Sequence, residues 1–208
     1  MKKLITEFVG TFFLVLTIGC AVQAPSLGAL APLAIGVVLI AMLYAGGHIS
    51  GAHYNPAVTL GVWINGKIST KEAVMYAVAQ ILAGAVAALC VNFIRGSSSE
   101  PGTLFMGPAF LAEFLFSFAL VFVVLNVAVA KSTQGNPYFG AAIGLTVMAG
   151  AFAVGDVSGG AFNPAVVTGL LIMGLAHPGS LVIYLPSILL GGAVAGLLFK
   201  ALHPQTES

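Results

Sequence analysis

The chain has 208 residues, of which 59% are hydrophobic and only 6% charged, and its mean hydropathy is +1.08. A soluble domain carries about 25% charged residues, so lipid is the only solvent suited to most of this surface, and no second soluble domain fits beside the apolar segments. A formal net charge of +1 gives no basic footprint for nucleic acid, and no nucleic-acid partner is expected.

The first segment begins with Lys2 and Lys3 ahead of an apolar run from Phe8 to Val22, and Gly19-Cys20 resembles a lipoprotein cleavage site. Glu7 interrupts the start and the run is long for a signal core, so the segment is expected to remain as a membrane helix over 4–24. Spanning a bilayer takes ~20 mostly apolar residues. Five further stretches meet that requirement, over 31–47, 71–94, 107–130, 138–155 and 179–201. Between them lie two apolar pieces, 56–65 and 164–174, that are too short to cross. Ten residues of helix rise ~15 Å, about half of a ~30 Å hydrocarbon core, so these pieces are predicted to be re-entrant half-helices. The fold class is therefore all-α, with six transmembrane helices and two half-helices.

Each half-helix opens on the same triplet, Asn55-Pro56-Ala57 and Asn163-Pro164-Ala165. Asparagine is a strong N-cap and proline is tolerated at the first helical position. The surroundings repeat as well: "ISGAHYNPAV" answers "VSGGAFNPAV", and Glu7-Phe8 answers Glu113-Phe114. The chain reads as a single transmembrane domain over 1–208, with one repeat over 1–100 and a second over 101–208. Three spans per repeat is an odd number, so the second repeat inserts upside down. Inverted repeats place a functional site near the bilayer midplane, where the two half-helix N-termini meet.

With six spans both termini share one side, and Lys2, Lys3, Lys67, Lys71, Lys131 and Lys200 fall there against Arg95 alone on the other. This bias places the termini in the cytoplasm and the protein in a plasma or inner membrane. Two helix N-termini facing one point create a positive potential that repels cations and protons. With their carbonyls capping the helices, the side-chain amides of Asn55 and Asn163 are expected to remain free to orient water. The loops "GGHISGAHY" and "GDVSGGAF" are too polar to face lipid, and irregular backbone at membrane depth is tolerated where it is buried or lines water. They are expected to be extended and to offer carbonyls along an aqueous path.

Glu7 and Glu113 lie inside spans, where acids are costly and usually functional. Their mirrored placement points to scaffolding, each carboxylate accepting N–H groups from the re-entrant loop of its own half. His48 and His53 are expected to brace that loop or line the path. No carboxylate or cysteine accompanies them at metal-ligand spacing, and no metal or cofactor is expected. Asp156 is a brace or a solvent-facing residue, His177 and His203 are boundary residues, and Cys20 and Cys90 are small apolar packing residues. Gly84/Ala88, Gly140/Gly144 and Gly192/Gly196 are small-xxx-small pairs suited to close helix approach. The chain presents no nucleophile–base pair, so it is not expected to be an enzyme.

Both Asn-Pro-Ala boxes, the run "GHISGAHYNPAVT", the Glu-Phe opening of each half and the helix count resemble the aquaporin, or major intrinsic protein, family over nearly the whole chain. The resemblance implies a six-helix bundle with one pore per subunit, a homotetramer, and passive permeation of water or small uncharged solutes across the lipid bilayer. It also implies an outer selectivity filter at Ile35, Ala151, Gly160 and Val166. The family usually has arginine at the last of these, and water-selective members an aromatic residue and a histidine at the first two. All three are missing here. The implied filter is wide and apolar, with relaxed selectivity that extends to glycerol, urea, metalloid acids or ammonia. A secondary transporter, which also uses inverted repeats and broken helices, is the alternative; it would need Glu7 or Glu113 as a coupling acid. A junctional membrane protein with a closed pore is a third reading, against which the short outer loops argue.

Overall fold

A computed structural model of the chain describes residues 1–97, 101 and 104–204; the predicted repeat boundary, at residue 100, lies outside them. Among the described residues the regular structure is helical throughout. Six helices are long and apolar enough to cross a membrane: α1 (Lys2–Val22), α2 (Ala31–Ser50), α4 (Thr70–Arg95), α5 (Met106–Val124), α6 (Phe139–Ser158) and α8 (Leu181–Leu202). The half-helices α3 (Pro56–Ile64) and α7 (Pro164–Ile172) have nine residues each. The last turn of α5 widens into a π turn over Leu125–Val129, closed by the Ala130 N–H on the Leu125 carbonyl.

Two of the shifted boundaries bear on the irregular loops. α2 and α6 each run three residues further than expected, to Ser50 and Ser158. Each stops at a left-handed glycine, Gly51 or Gly159, whose N–H caps Gly47 or Gly155. Glycine carries no Cβ penalty in that conformation, which makes it the preferred residue just past a helix end. Helical hydrogen bonding thus satisfies the backbone as deep as possible, and Gly51–Tyr54 and Gly159–Phe162 remain as irregular loops; they are not extended as expected, since three of the four residues in each have positive φ.

The packing has a two-fold pattern. α1 packs on α2 and α4, as α5 packs on α6 and α8, and α2 crosses α6. Each half-helix reaches into the other half: α3 lies mainly on α8, and α7 on α4. Glycines permit these approaches. At the α2–α6 crossing, a Cβ on Gly36 would stand 3.0 Å from the Gly144 carbonyl, and one on Gly144 2.8 Å from that of Gly36. A Cβ on Gly192 in α8 would stand 2.8 Å from the Ala57 carbonyl, and one on Gly84 in α4 would overlap that of Ala165. The small-residue pairs read from the sequence are thus contact points between repeats: Gly84 and Gly192 seat the half-helices, and Gly144 seats α2.

Glu7 and Glu113 are fully buried, and each binds the loop of its own half. Glu7 Oε1 accepts from the Ser50 hydroxyl (2.6 Å) and the His53 N–H (3.0 Å), and its Oε2 accepts from the Tyr54 N–H (2.7 Å) and Gln80 Nε2 (2.8 Å). Glu113 accepts from the Ser158 hydroxyl (2.7 Å) and the Ala161 (3.0 Å) and Phe162 (2.7 Å) N–H groups. Tyr76 and Tyr184 donate their hydroxyls to the Ser50 and Ser158 carbonyls. The halves differ at one donor: where the first has Gln80, the second has Ile188, fully buried and apolar. A buried carboxylate is held by donors like these, and losing one leaves part of its desolvation uncompensated.

Two expectations follow. Gly192→Val drives a side chain into the Ala57 carbonyl and should destabilise by about 1–3 kcal/mol, read as a lower midpoint of thermal unfolding in detergent. Gly107→Ala, at a helical glycine with open space around it, should leave the midpoint nearly unchanged; equal effects would contradict the seating role. Gln80→Leu should destabilise by about 1–3 kcal/mol in the same assay, and an unchanged midpoint would show that Gln80 carries no share of the Glu7 charge.

Candidate functional site

Each half-helix begins at an asparagine in extended conformation, with proline as the first helical residue. Asn55 Oδ1 accepts from the Ala57 N–H (2.8 Å) and Asn163 Oδ1 from the Ala165 N–H (2.9 Å). The amide nitrogens cross over. Asn55 Nδ2 donates to the Phe162 carbonyl, and Asn163 Nδ2 to the Tyr54 carbonyl, both at 2.9 Å. The sequence predicts amides that are free to donate to water. In the structure each gives one hydrogen to the opposite loop and keeps the other of its two donors.

These crossed bonds hold an unfavourable backbone in place. Ala52, Tyr54 and Phe162 have φ of 51°, 51° and 49°, and no other described non-glycine residue is left-handed. Such residues cost about 1–3 kcal/mol each and persist where the surroundings over-determine them. Tyr54 and Phe162 meet that condition: the N–H of each goes to its own glutamate and the carbonyl to the opposite asparagine. The Tyr54 ring occupies a slot kept open by Gly10 and Gly46, where any Cβ would overlap it, and its hydroxyl donates to the Met42 carbonyl (2.9 Å).

A single cavity passes both asparagines, with about 70 Å³ open to the centres of water molecules; one water needs ~10–15 Å³ on that measure. Asn55 and Asn163 line it, and so do Ile35, Ala151, Gly160 and Val166. Most of the remaining wall is aliphatic, with His53 as a polar exception, and among the described residues no Asp, Glu, Lys or Arg lines it. The fixed electrostatics of the passage therefore come from backbone dipoles and amides. The two half-helix N-termini, each equivalent to roughly half a positive charge, converge on the asparagine pair.

Other predicted residues stand as follows. Pro56, Ala57, Pro164 and Ala165 form the first turns of α3 and α7. His48 does not brace the loop. α2 remains helical through Ser50, and His48 lies two residues, about 200° of helix, from the buried Ser50 face; it is exposed and bonds no described side chain. His53 takes the bracing role, its backbone N–H on Glu7 and its Nδ1 3.1 Å from the Thr59 hydroxyl, to which Gln80 also donates (3.2 Å). Asp156 is exposed, His177 accepts from the Gly179 N–H, and His203 contacts the Phe199 carbonyl. Cys20 and Cys90 are free and half-buried. Sequence reasoning missed Gln80, although a glutamine within an apolar span was an available signal. It also missed the crossed asparagine bonds, for which no local signal exists.

The comparisons with known proteins agree with this geometry. The sequence model of the family described as "Major intrinsic protein" matches residues 1–199. Aquaporin NIP1-4 of Oryza sativa subsp. japonica is 35% identical over 184 residues, covering 84% of this chain and 67% of that protein. Aquaporin NIP1-1 of Arabidopsis thaliana is 34% identical over 215 residues, covering 94% of this chain and 71% of its own length. The X-ray structure of the aquaglyceroporin from Plasmodium falciparum superposes with a TM-score of 0.75 at 21% identity, covering 99% of this chain and 96% of that one, a likeness of fold. The chain belongs to the major intrinsic protein family, whose members are membrane channels and not enzymes.

Proposed function

We propose that the chain is a passive, proton-excluding channel for water and small uncharged solutes, with an apolar outer filter at Ile35, Ala151, Gly160 and Val166 and correspondingly relaxed selectivity. The observation that carries the proposal is that one cavity is lined by both asparagine amides and by all four filter positions, none of which bears a charge. Arginine at position 166 would set a fixed cation and several donors in the ring. Valine supplies neither, so a hydroxyl-bearing solute there keeps part of its hydration or leaves a group unpaired, at about 1–3 kcal/mol. Cation and proton exclusion then rests on the paired helix ends. A water at the asparagine pair takes a hydrogen bond from each remaining amide donor, and its neighbours point away on either side.

Glycerol, urea, undissociated metalloid acids and ammonia fit the uncharged ring. The chain's likeness to a solved aquaglyceroporin is in keeping with passage of solutes larger than water. The same reading has the channel working as a homotetramer in a plasma or inner membrane, with the lysine-rich face and both termini in the cytoplasm. A coupled transporter is disfavoured, because Glu7 and Glu113 spend their oxygens on the loops and neither lines the cavity.

Proteoliposomes in a stopped-flow osmotic assay should shrink and re-swell faster than protein-free vesicles, without saturation, for water and for at least one of glycerol and urea. Flux at the protein-free level for every neutral solute would overturn the proposal. Val166→Arg should lower the glycerol-to-water permeability ratio by about threefold or more, a free-energy change well under that of one lost polar contact. An unchanged ratio would place position 166 outside the solute path.

A further inference from the structure

The repeat relates α2, α3 and the intervening loop to α6, α7 and theirs at a constant step of 108 residues. The left-handed caps Gly51 and Gly159, the helix-terminal Ser50 and Ser158, and the caps Asn55 and Asn163 all obey it. So do Gly36 and Gly144, which approach each other's carbonyls at the α2–α6 crossing. Applied to the four proposed filter positions, the same step gives a second set. Ile35 corresponds to Ile143, Ala151 to Leu43, Gly160 to Ala52, and Val166 to Val58. All four of these counterparts line the same cavity. They lie on the other side of the asparagine pair, toward the face that holds both chain termini. The passage therefore carries two quasi-equivalent aliphatic rings, one on each side of its polar centre.

The rings differ in bulk. Isoleucine and valine recur in both, but Leu43 stands where the far ring has Ala151, and Ala52 where it has Gly160. The terminal-side ring thus carries more side chain at two of its four positions and less at none. Burial agrees with bulk. Leu43 and Ala52 are 3% and 4% exposed, whereas Ala151 and Gly160 are half-buried. Ala52 also holds a left-handed φ of 51° that glycine would adopt without strain, so its methyl group is kept in the wall at a conformational cost.

We infer that the size-limiting constriction of this channel is the terminal-side ring of Leu43, Ala52, Val58 and Ile143, with Leu43 and Ala52 as the specificity-determining residues. The inference rests on the channel reading above and moves the sieve to the opposite side of the asparagine pair. With an aliphatic far filter, nothing there outweighs the extra bulk on the terminal side. Discrimination is by width and desolvation, since both rings lack charged side chains.

The test compares water, glycerol and urea permeabilities of proteoliposomes bearing wild type, Leu43→Ala, Ala52→Gly and Val166→Ala. Leu43→Ala and Ala52→Gly should each raise the glycerol-to-water and urea-to-water ratios by about threefold or more, a modest part of the roughly tenfold or greater discrimination that one methylene gives in a tight apolar pocket. Val166→Ala, which widens the far ring, should change them by less. Ala52→Gly removes one methyl and relieves backbone strain, so it remains informative if Leu43→Ala folds poorly. Ratios unmoved by Ala52→Gly, or moved more by Val166→Ala than by either terminal-side variant, overturn the inference and leave the channel standing. Wild-type flux equal to that of protein-free vesicles removes the channel reading itself.

Discussion

The structure depends on two buried carboxylates that hold irregular backbone at membrane depth. Lipid cannot satisfy an exposed N–H, and a buried unpaired one is expensive. Glu7 and Glu113 collect the N–H groups of the residues just before each asparagine. With its N–H fixed, the Tyr54 or Phe162 carbonyl is available to the asparagine of the other repeat. That crossed pair ties the half-helix tips together while their axes lie on the opposite halves. The charge that would be a liability in a membrane helix thus becomes the anchor for the irregular segments beside the passage.

The anchoring is not uniform. The first repeat adds a polar cluster in which Gln80 bridges Glu7 and Thr59, and His53 meets the same threonine. The second repeat has Ala161, Val167 and Ile188 at the matching places. Its loop is held by fewer donors, and its backbone there is more forgiving, because Gly160 replaces the strained Ala52. Duplication preserved the backbone path and the main acceptors; the surrounding side chains diverged.

Channel chemistry follows from what the wall lacks. Among the described residues no Asp, Glu, Lys or Arg lines the cavity, so the asparagine amides, the helix ends and His53 supply its polarity. The aliphatic residues on either side offer low polarity in place of donors. On the proposed channel reading, selection among neutral solutes is by size and by the energy of shedding water.

Much of this was legible in the chain itself. Composition dictated a lipid environment, apolar run lengths distinguished six spans from two half-spans, and the repeated Asn-Pro-Ala with a glutamate heading each half marked an inverted duplication. These are local or periodic features, each set by what a short segment can satisfy alone. The assignment of bracing to His53 instead of His48 was beyond reach, because it turned on where a left-handed glycine ended α2. The same holds for Gln80 on Glu7, the asparagine bonds to the opposite loops, and the contact of Gly84 and Gly192 with the box carbonyls. Those pairings join residues tens to over a hundred positions apart. Only the packing of one repeat against the other decides them, since a hydrogen bond or a close approach depends on position in space and leaves no periodic trace along the chain.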